Sequence, residues 1–75
     1  MAKGPQMPGH TYKSLELTGS SEVSVEDAVR VAIGKAAKTV RKLRWFEIQQ
    51  IRGHIKDDEV AHWQVSMKVG FALDD

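Results

Sequence analysis

The fold is decided by one stretch of the sequence, residues 60–73, which reads VAHWQVSMKVGFAL. Because the side chains of a β-strand alternate between its two faces, the regular alternation predicts a long strand with one buried face. The apolar face consists of seven residues, which are Ala61, Trp63, Val65, Met67, Val69, Phe71 and Leu73. Trp63 is therefore predicted to belong to the core, and this face is predicted to meet a helix.

A second strand is predicted over residues 45–55, which are rich in aromatic and β-branched side chains. Its apolar residues change parity between Ile48 and Ile51. A β-bulge near Gln49 and Gln50, which adds one unpaired residue, would return them to one face. The two strands are thus predicted to share a continuous apolar surface.

A polar loop predicted at residues 56–59 joins these two strands into a hairpin. If Ile55 pairs with Ala61, every inner pair is apolar. The inner pairs are then Ile51 with Val65, Ile48 with Met67, and Phe46 with Val69. The outer pairs are Trp45 with Gly70, Glu47 with Lys68, and Arg52 with Gln64. An indole beside a glycine offers a flat apolar platform on this outer face, with polar groups further along it.

The first half of the chain predicts one strand and one helix. Alternation predicts a half-buried strand over residues 12–18, followed by a polar turn. Ser24 and Asp27 have the spacing of a capping box, which predicts a helix that begins near Val25. Its apolar stripe continues for about four turns, to Val40. The chain is therefore read as an α+β domain of β-α-β-β order.

The chain is short, and its composition limits how it can be stabilised. With 75 residues there is room for one domain, with residues 1–10 predicted as a flexible tail and residues 11–75 as the folded unit. A chain of this size buries only about 60% of its unfolded surface. There is no cysteine, which excludes disulfides and zinc-thiolate sites. Oligomerisation is the route that remains for added stability.

The charge balance argues against one class of partner, and the length of the apolar runs argues against another. Eleven basic and ten acidic residues give a net charge of +1, too small for a protein that binds nucleic acid through phosphates. The basic residues near the helix end have a local explanation in the helix dipole, with a phosphate patch as the alternative. No run approaches the roughly 20 apolar residues of a membrane span. The expected location is the cytoplasm.

The predicted outer face raises the question of what covers Trp45. A tryptophan on the solvent side of a small domain needs a partner subunit or a ligand, and spacing alone leaves both open. His54 and His62 could hold a metal, but no third ligand is in sight, so no metal site is expected. No nucleophile motif or phosphate-binding loop occurs, so a conventional enzyme is not expected.

Four groups of residues closely resemble the dodecins, which are small flavin-binding proteins. They are LRWFE at 43–47, RGHI at 52–55, Gln64, and KVGF at 68–71. The resemblance covers nearly all of the predicted domain. It implies a β-α-β-β subunit whose three-stranded antiparallel sheet wraps around one amphipathic helix, and a homododecamer that forms a hollow shell.

The resemblance also assigns a binding site. It implies that Trp45 stacks on the isoalloxazine ring of a flavin, that Gln64 hydrogen-bonds the polar edge of that ring, and that Arg52 meets the phosphate of FMN. Arg44 and Gln50 adjoin the site. Several bacterial dodecins carry an arginine where this chain has Ala72, so FMN, riboflavin and lumichrome all remain candidate ligands.

The function implied is non-enzymatic storage of flavin, with quenching of its photochemistry by electron transfer from Trp45. One alternative is a structural shell, or a shell whose main ligand is coenzyme A. A flavin-dependent reductase is the enzymatic alternative, but a ring stacked on both faces leaves no approach for a hydride donor.

Overall fold

The computed structural model of the chain contains the four predicted elements in the predicted order, and it describes residues 11–73. They are β1 (Tyr12–Ser21), α1 (Val25–Ala36), β2 (Leu43–Lys56) and β3 (Glu59–Ala72). The strands form one antiparallel sheet of order β1-β3-β2, so the long strand predicted from residues 60–73 lies in the centre. This confirms the α+β class and the β-α-β-β topology. The tail predicted for residues 1–10 lies outside the described residues.

The register of the β2–β3 hairpin agrees with the predicted one over most of its length. The confirmed pairs are Ile51 with Val65, Ile48 with Met67, Phe46 with Val69, Arg52 with Gln64, Glu47 with Lys68, and Trp45 with Gly70. The predicted bulge is present as a register shift between Ile48 and Gln50. Two further shifts, beside Arg44 and beside His54, are not evident from the sequence.

The end of the hairpin differs from the prediction. Lys56 pairs with Glu59, so the turn consists of Asp57 and Asp58 alone and not of four residues. Their φ angles are 54° and 66°, as in a two-residue type I′ turn. Because the turn is tight, Ile55 pairs with Val60, and the predicted pairing of Ile55 with Ala61 is wrong.

This turn gives a first prediction. Aspartate in the left-handed region costs more than glycine, and Asp-Gly is the favoured sequence of this turn type. Asp58→Gly is therefore expected to raise the free energy of unfolding by about 0.5 to 1 kcal/mol. Asp58→Ala is the control, because alanine is strained at positive φ and should destabilise the protein. Chemical denaturation at a fixed chain concentration measures both, and equal shifts for the two variants would contradict the turn assignment.

The helix begins as predicted and ends earlier. The Oγ of Ser24 accepts a hydrogen bond from the backbone N–H of Asp27 at 3.0 Å. The hydroxyl of Ser21 donates to the carboxylate of Asp27 at 2.6 Å, which fixes the link between β1 and α1. The helix ends at Ala36 and not at Val40, because the chain continues in looser turns and then reverses at Lys42, where φ is 64°.

The core lies between α1 and the middle of the sheet. Six residues form it, Ala28, Val29 and Ala32 from the helix and Val65, Met67 and Val69 from β3. Helix and sheet pack tightly at Gly19, which stays within β1 where the sequence predicts a turn. A Cβ atom added at Gly19 would lie 2.5 Å from the carbonyl oxygen of Ala28 and 2.8 Å from the Cβ of Ala32. Only glycine allows this packing.

The inner face of β2 is left open, because α1 packs on β1 and β3. The exposed fractions of Phe46, Ile51 and Ile55 are 47%, 53% and 71%. Trp63 is half-buried and lies outside the core, so its predicted core role is wrong for the single chain: the helix covers only the middle of β3. In residues 11–73 no helix is long and apolar enough to cross a membrane.

Candidate functional site

Trp45 lies on the outer face of the sheet, the side opposite the helix, and packs directly on Gly70. A Cβ atom at position 70 would lie 2.2 Å from Cε2 of the indole and 2.3 Å from its Cζ2. The indole therefore occupies the space that a side chain would fill. Tyr12 of β1 meets the same ring edge-on, with 6.4 Å between ring centroids and an interplanar angle of 63°.

The orientation of this indole decides what it presents outward. Its Nε1 is buried and has no hydrogen-bond acceptor within residues 11–73. Trp45 as a whole is only half-buried. Because the side towards the sheet is covered by the backbone of Gly70, the exposed part of the ring faces away from the sheet. The result is an apolar aromatic surface whose polar N–H is turned inward.

A second, polar group of residues lies further along the same face. The guanidinium of Arg52 donates a hydrogen bond through Nη2 to Oε1 of Gln50. Arg52 stands opposite Gln64, and Gln50 stands opposite Ser66. The structure thus brings together three of the predicted site residues, Gln50, Arg52 and Gln64, which we call the polar cluster.

Arg44 is placed apart from this cluster. It is the extra residue of the bulge between Leu43 and Trp45, and it is exposed. Its Nη1 donates to the carbonyl oxygen of Leu43 at 3.2 Å. Arg44 is therefore adjacent to Trp45 in the chain but is not brought to Gln64 or Arg52.

Trp45 and the polar cluster are well separated within one chain. Trp45 stands opposite Gly70, and Gly70 is six residues from Gln64 in β3. At the rise of an extended strand this is about 20 Å. One aromatic ring cannot contact both groups of the same chain. Two hollows, of about 500 and 590 Å³, lie elsewhere, one between α1 and β2 and the other beside the turn that follows α1.

Two contributors to this face were not found from the sequence. Tyr12 reaches Trp45 because β1 pairs with β3 and sets Tyr12 opposite Ala72. The hydroxyls of Thr18 and Ser66 hydrogen-bond to each other at 3.1 Å beside the polar cluster. Both depend on the register of β1 against β3, and the short alternation of residues 12–18 gives no signal for that register.

Comparison with known proteins identifies the family. The family model for dodecin matches residues 11–74. The curated dodecin of Thermus thermophilus is 45% identical over 67 residues, which are 89% of this chain and 97% of that protein. The solved dodecin of Streptomyces coelicolor has a TM-score of 0.84 at 51% identity and covers 92% of this chain and 99% of its own. The solved dodecin of Streptomyces davaonensis has a TM-score of 0.83 at 45% identity, over 89% of this chain and 98% of its own. The chain therefore belongs to the dodecin family, whose members are small binding proteins.

Proposed function

We propose that this protein binds oxidised flavin without turning it over, and stores it between subunits of a homododecamer. The observation that carries the proposal is the seating of Trp45 on Gly70. An indole fixed in this way offers a flat, electron-rich surface to an electron-poor ring such as isoalloxazine. Because the backbone holds the ring, little conformational entropy is lost when a ligand stacks on it.

The polar cluster supplies the other half of the proposed site. The side-chain amide of Gln64 has both a donor and an acceptor, which suits the alternating polar edge of a flavin. Arg52 is the candidate for the phosphate of FMN, and its present partner Gln50 carries no charge, so the guanidinium can turn to an anion. Arg44 remains a candidate neighbour of the flavin through its position next to Trp45.

The separation of Trp45 from Gln64 supports a site shared between chains. About 20 Å of strand lies between the two, so we propose that a bound ring stacks on Trp45 of one subunit and meets Gln64 of another. The exposed apolar residues of β2 favour association, because an apolar strip of this kind is normally covered. Oligomerisation would also supply the stability that a small core lacks.

The experiment that tests the function combines FMN with the purified protein and NADPH. A storage protein should quench flavin fluorescence, because an indole in stacking contact transfers an electron to the excited ring, and should leave NADPH unconsumed. Steady consumption of NADPH would favour a reductase. Unquenched, unbound FMN would favour the structural or coenzyme A-binding shell.

A second prediction separates the roles of Arg52 and Gln64. If Arg52 meets the phosphate, Arg52→Ala should weaken the binding of FMN by about 1 to 3 kcal/mol. The binding of riboflavin should stay nearly unchanged, because riboflavin has no phosphate. Gln64→Ala should weaken the binding of both ligands, because both contain the isoalloxazine ring. Fluorescence titration of each variant with the two flavins measures this. If Arg52→Ala loses equal affinity for FMN and for riboflavin, the arginine shapes the site and does not bind phosphate.

A further inference from the structure

A pair of stacked histidines lies on the outer face beyond the polar cluster, towards the hairpin turn. His54 of β2 and His62 of β3 stand directly opposite each other. Their ring centroids are 5.3 Å apart and their planes differ by 13°. The proposed flavin site uses neither residue. The sequence alone predicts no metal site at His54 and His62, because it shows no third ligand, and only the structure shows that their rings face each other.

We propose that His54 and His62 form a two-histidine site for a borderline divalent cation such as Zn²⁺ or Cu²⁺. Imidazole nitrogen binds Zn²⁺ at about 2.1 Å, so one ion joins two nitrogens that lie within about 4 Å. The stacked rings, with centroids 5.3 Å apart, are close enough for this, but each ring has to rotate about its side-chain bonds until its nitrogen lone pair points at the shared ion. The sheet already holds the two residues opposite each other, so the second ligand binds at a lower entropic cost than a histidine on a mobile segment would.

The remaining coordination positions are open to water. Within residues 11–73 no group of three or more His, Asp or Glu side chains is placed to hold a metal, so the protein contributes the two imidazoles alone. His62 also borders a hollow of about 270 Å³, lined in addition by Ser20, Ser21 and Glu22. This hollow has room for the waters that complete the coordination sphere, and Glu22 offers them a carboxylate.

The charges around the pair determine which ions it can take. Two positive charges flank His54 in β2: Arg52 lies two residues before it and Lys56 two residues after it. Two carboxylates offset these positive charges. Glu59 pairs with Lys56 across the hairpin, and Glu22 lines the hollow that His62 borders. The local field is therefore close to balanced, and affinity has to come from nitrogen donors. Such a site favours Zn²⁺ and Cu²⁺ over the hard cations Mg²⁺ and Ca²⁺.

The test uses tag-free protein, freed of metal with a chelator and titrated calorimetrically with Zn²⁺. We expect one ion per chain near neutral pH and no binding of Mg²⁺. His54→Gln and His62→Gln should each raise the Kd for Zn²⁺ at least tenfold. His10→Gln removes the third histidine of the chain and is the matched control, which should bind Zn²⁺ as the parent does.

Electron paramagnetic resonance of the parent protein with one Cu²⁺ per chain gives a second reading that needs no variant. Coupling to two imidazole nitrogens is expected. Coupling to one nitrogen or none would overturn the proposal, as would a His54→Gln protein that binds Zn²⁺ like the parent. Sedimentation of each variant checks that its assembly is unchanged. Because neither reading involves flavin, this proposal can fail while flavin binding stands, and the reverse also holds.

Discussion

Gly19→Ala is expected to unfold at a markedly lower denaturant concentration than the parent protein. The added methyl group would lie 2.5 Å from the carbonyl oxygen of Ala28 and 2.8 Å from the Cβ of Ala32, so the helix would have to move off the sheet. Overpacking of this kind costs about 1 to 3 kcal/mol, and more where backbone atoms are involved. Chemical denaturation at a fixed chain concentration measures the loss.

Gly34→Ala is the matched control for this prediction. In the described part of the single chain, a Cβ at Gly34 would meet no atom of another element within 4 Å. Alanine is the better helix former by about 1 kcal/mol, so this variant should be more stable than the parent. The same substitution is therefore expected to have opposite signs at the two glycines. A stabilising Gly19→Ala would show that the helix does not rest on β1 as described.

Trp45→Ala is expected to lower flavin affinity by about 1 to 3 kcal/mol, the scale of one aromatic stacking contact, which is roughly a fivefold to 150-fold rise in Kd. Trp45 lies outside the buried core, so the variant should still fold and assemble. Flavin that remains bound should fluoresce more brightly, because the quenching indole is gone. Fluorescence titration with FMN and sedimentation of the same sample measure both effects.

The chain offers two controls for the role of Trp45. Trp63→Phe changes the other tryptophan, which points to the inner face, and should leave FMN binding and quenching as in the parent. Gly70→Val leaves Trp45 in the sequence but displaces its ring, and should impair FMN binding as Trp45→Ala does. If Trp45→Ala binds and quenches FMN as the parent does, the flavin site lies elsewhere. If it fails to assemble, Trp45 is a subunit contact.

The topology and most of the register follow from the sequence because period-two alternation is strong in residues 60–73. A one-residue slip would turn Val65 and Met67 to solvent, so their burial fixes the pairing of β2 with β3. The hairpin end was missed because its turn is Asp57-Asp58 and lacks the glycine that usually marks a type I′ turn. The early end of α1 was missed because the apolar stripe continues to Val40 while the backbone already leaves the helix.

The site was predictable in its parts and not in its geometry. The placement of Trp45 beside Gly70 follows from the register, but the register cannot show that the indole fills the space above the glycine. Nor does it show that Arg52 bonds to Gln50, because side-chain conformation is not encoded in strand parity. The open inner face of β2 depends on where the helix crosses the sheet, which the apolar pattern of either element leaves undefined.

The distance between Trp45 and Gln64 along β3 has a consequence for inheritance. If the proposed site takes its indole from one chain and its amide from another, a chain with a damaged Trp45 spoils a site whose Gln64 comes from an intact chain. Conversely, a chain that lacks Trp45 but keeps Gln64 and a chain that lacks Gln64 but keeps Trp45 would complete a site between them, although neither forms a site with copies of itself. Two defective genes of these two kinds would therefore partly complement each other in one cell, because some mixed sites would receive both intact residues.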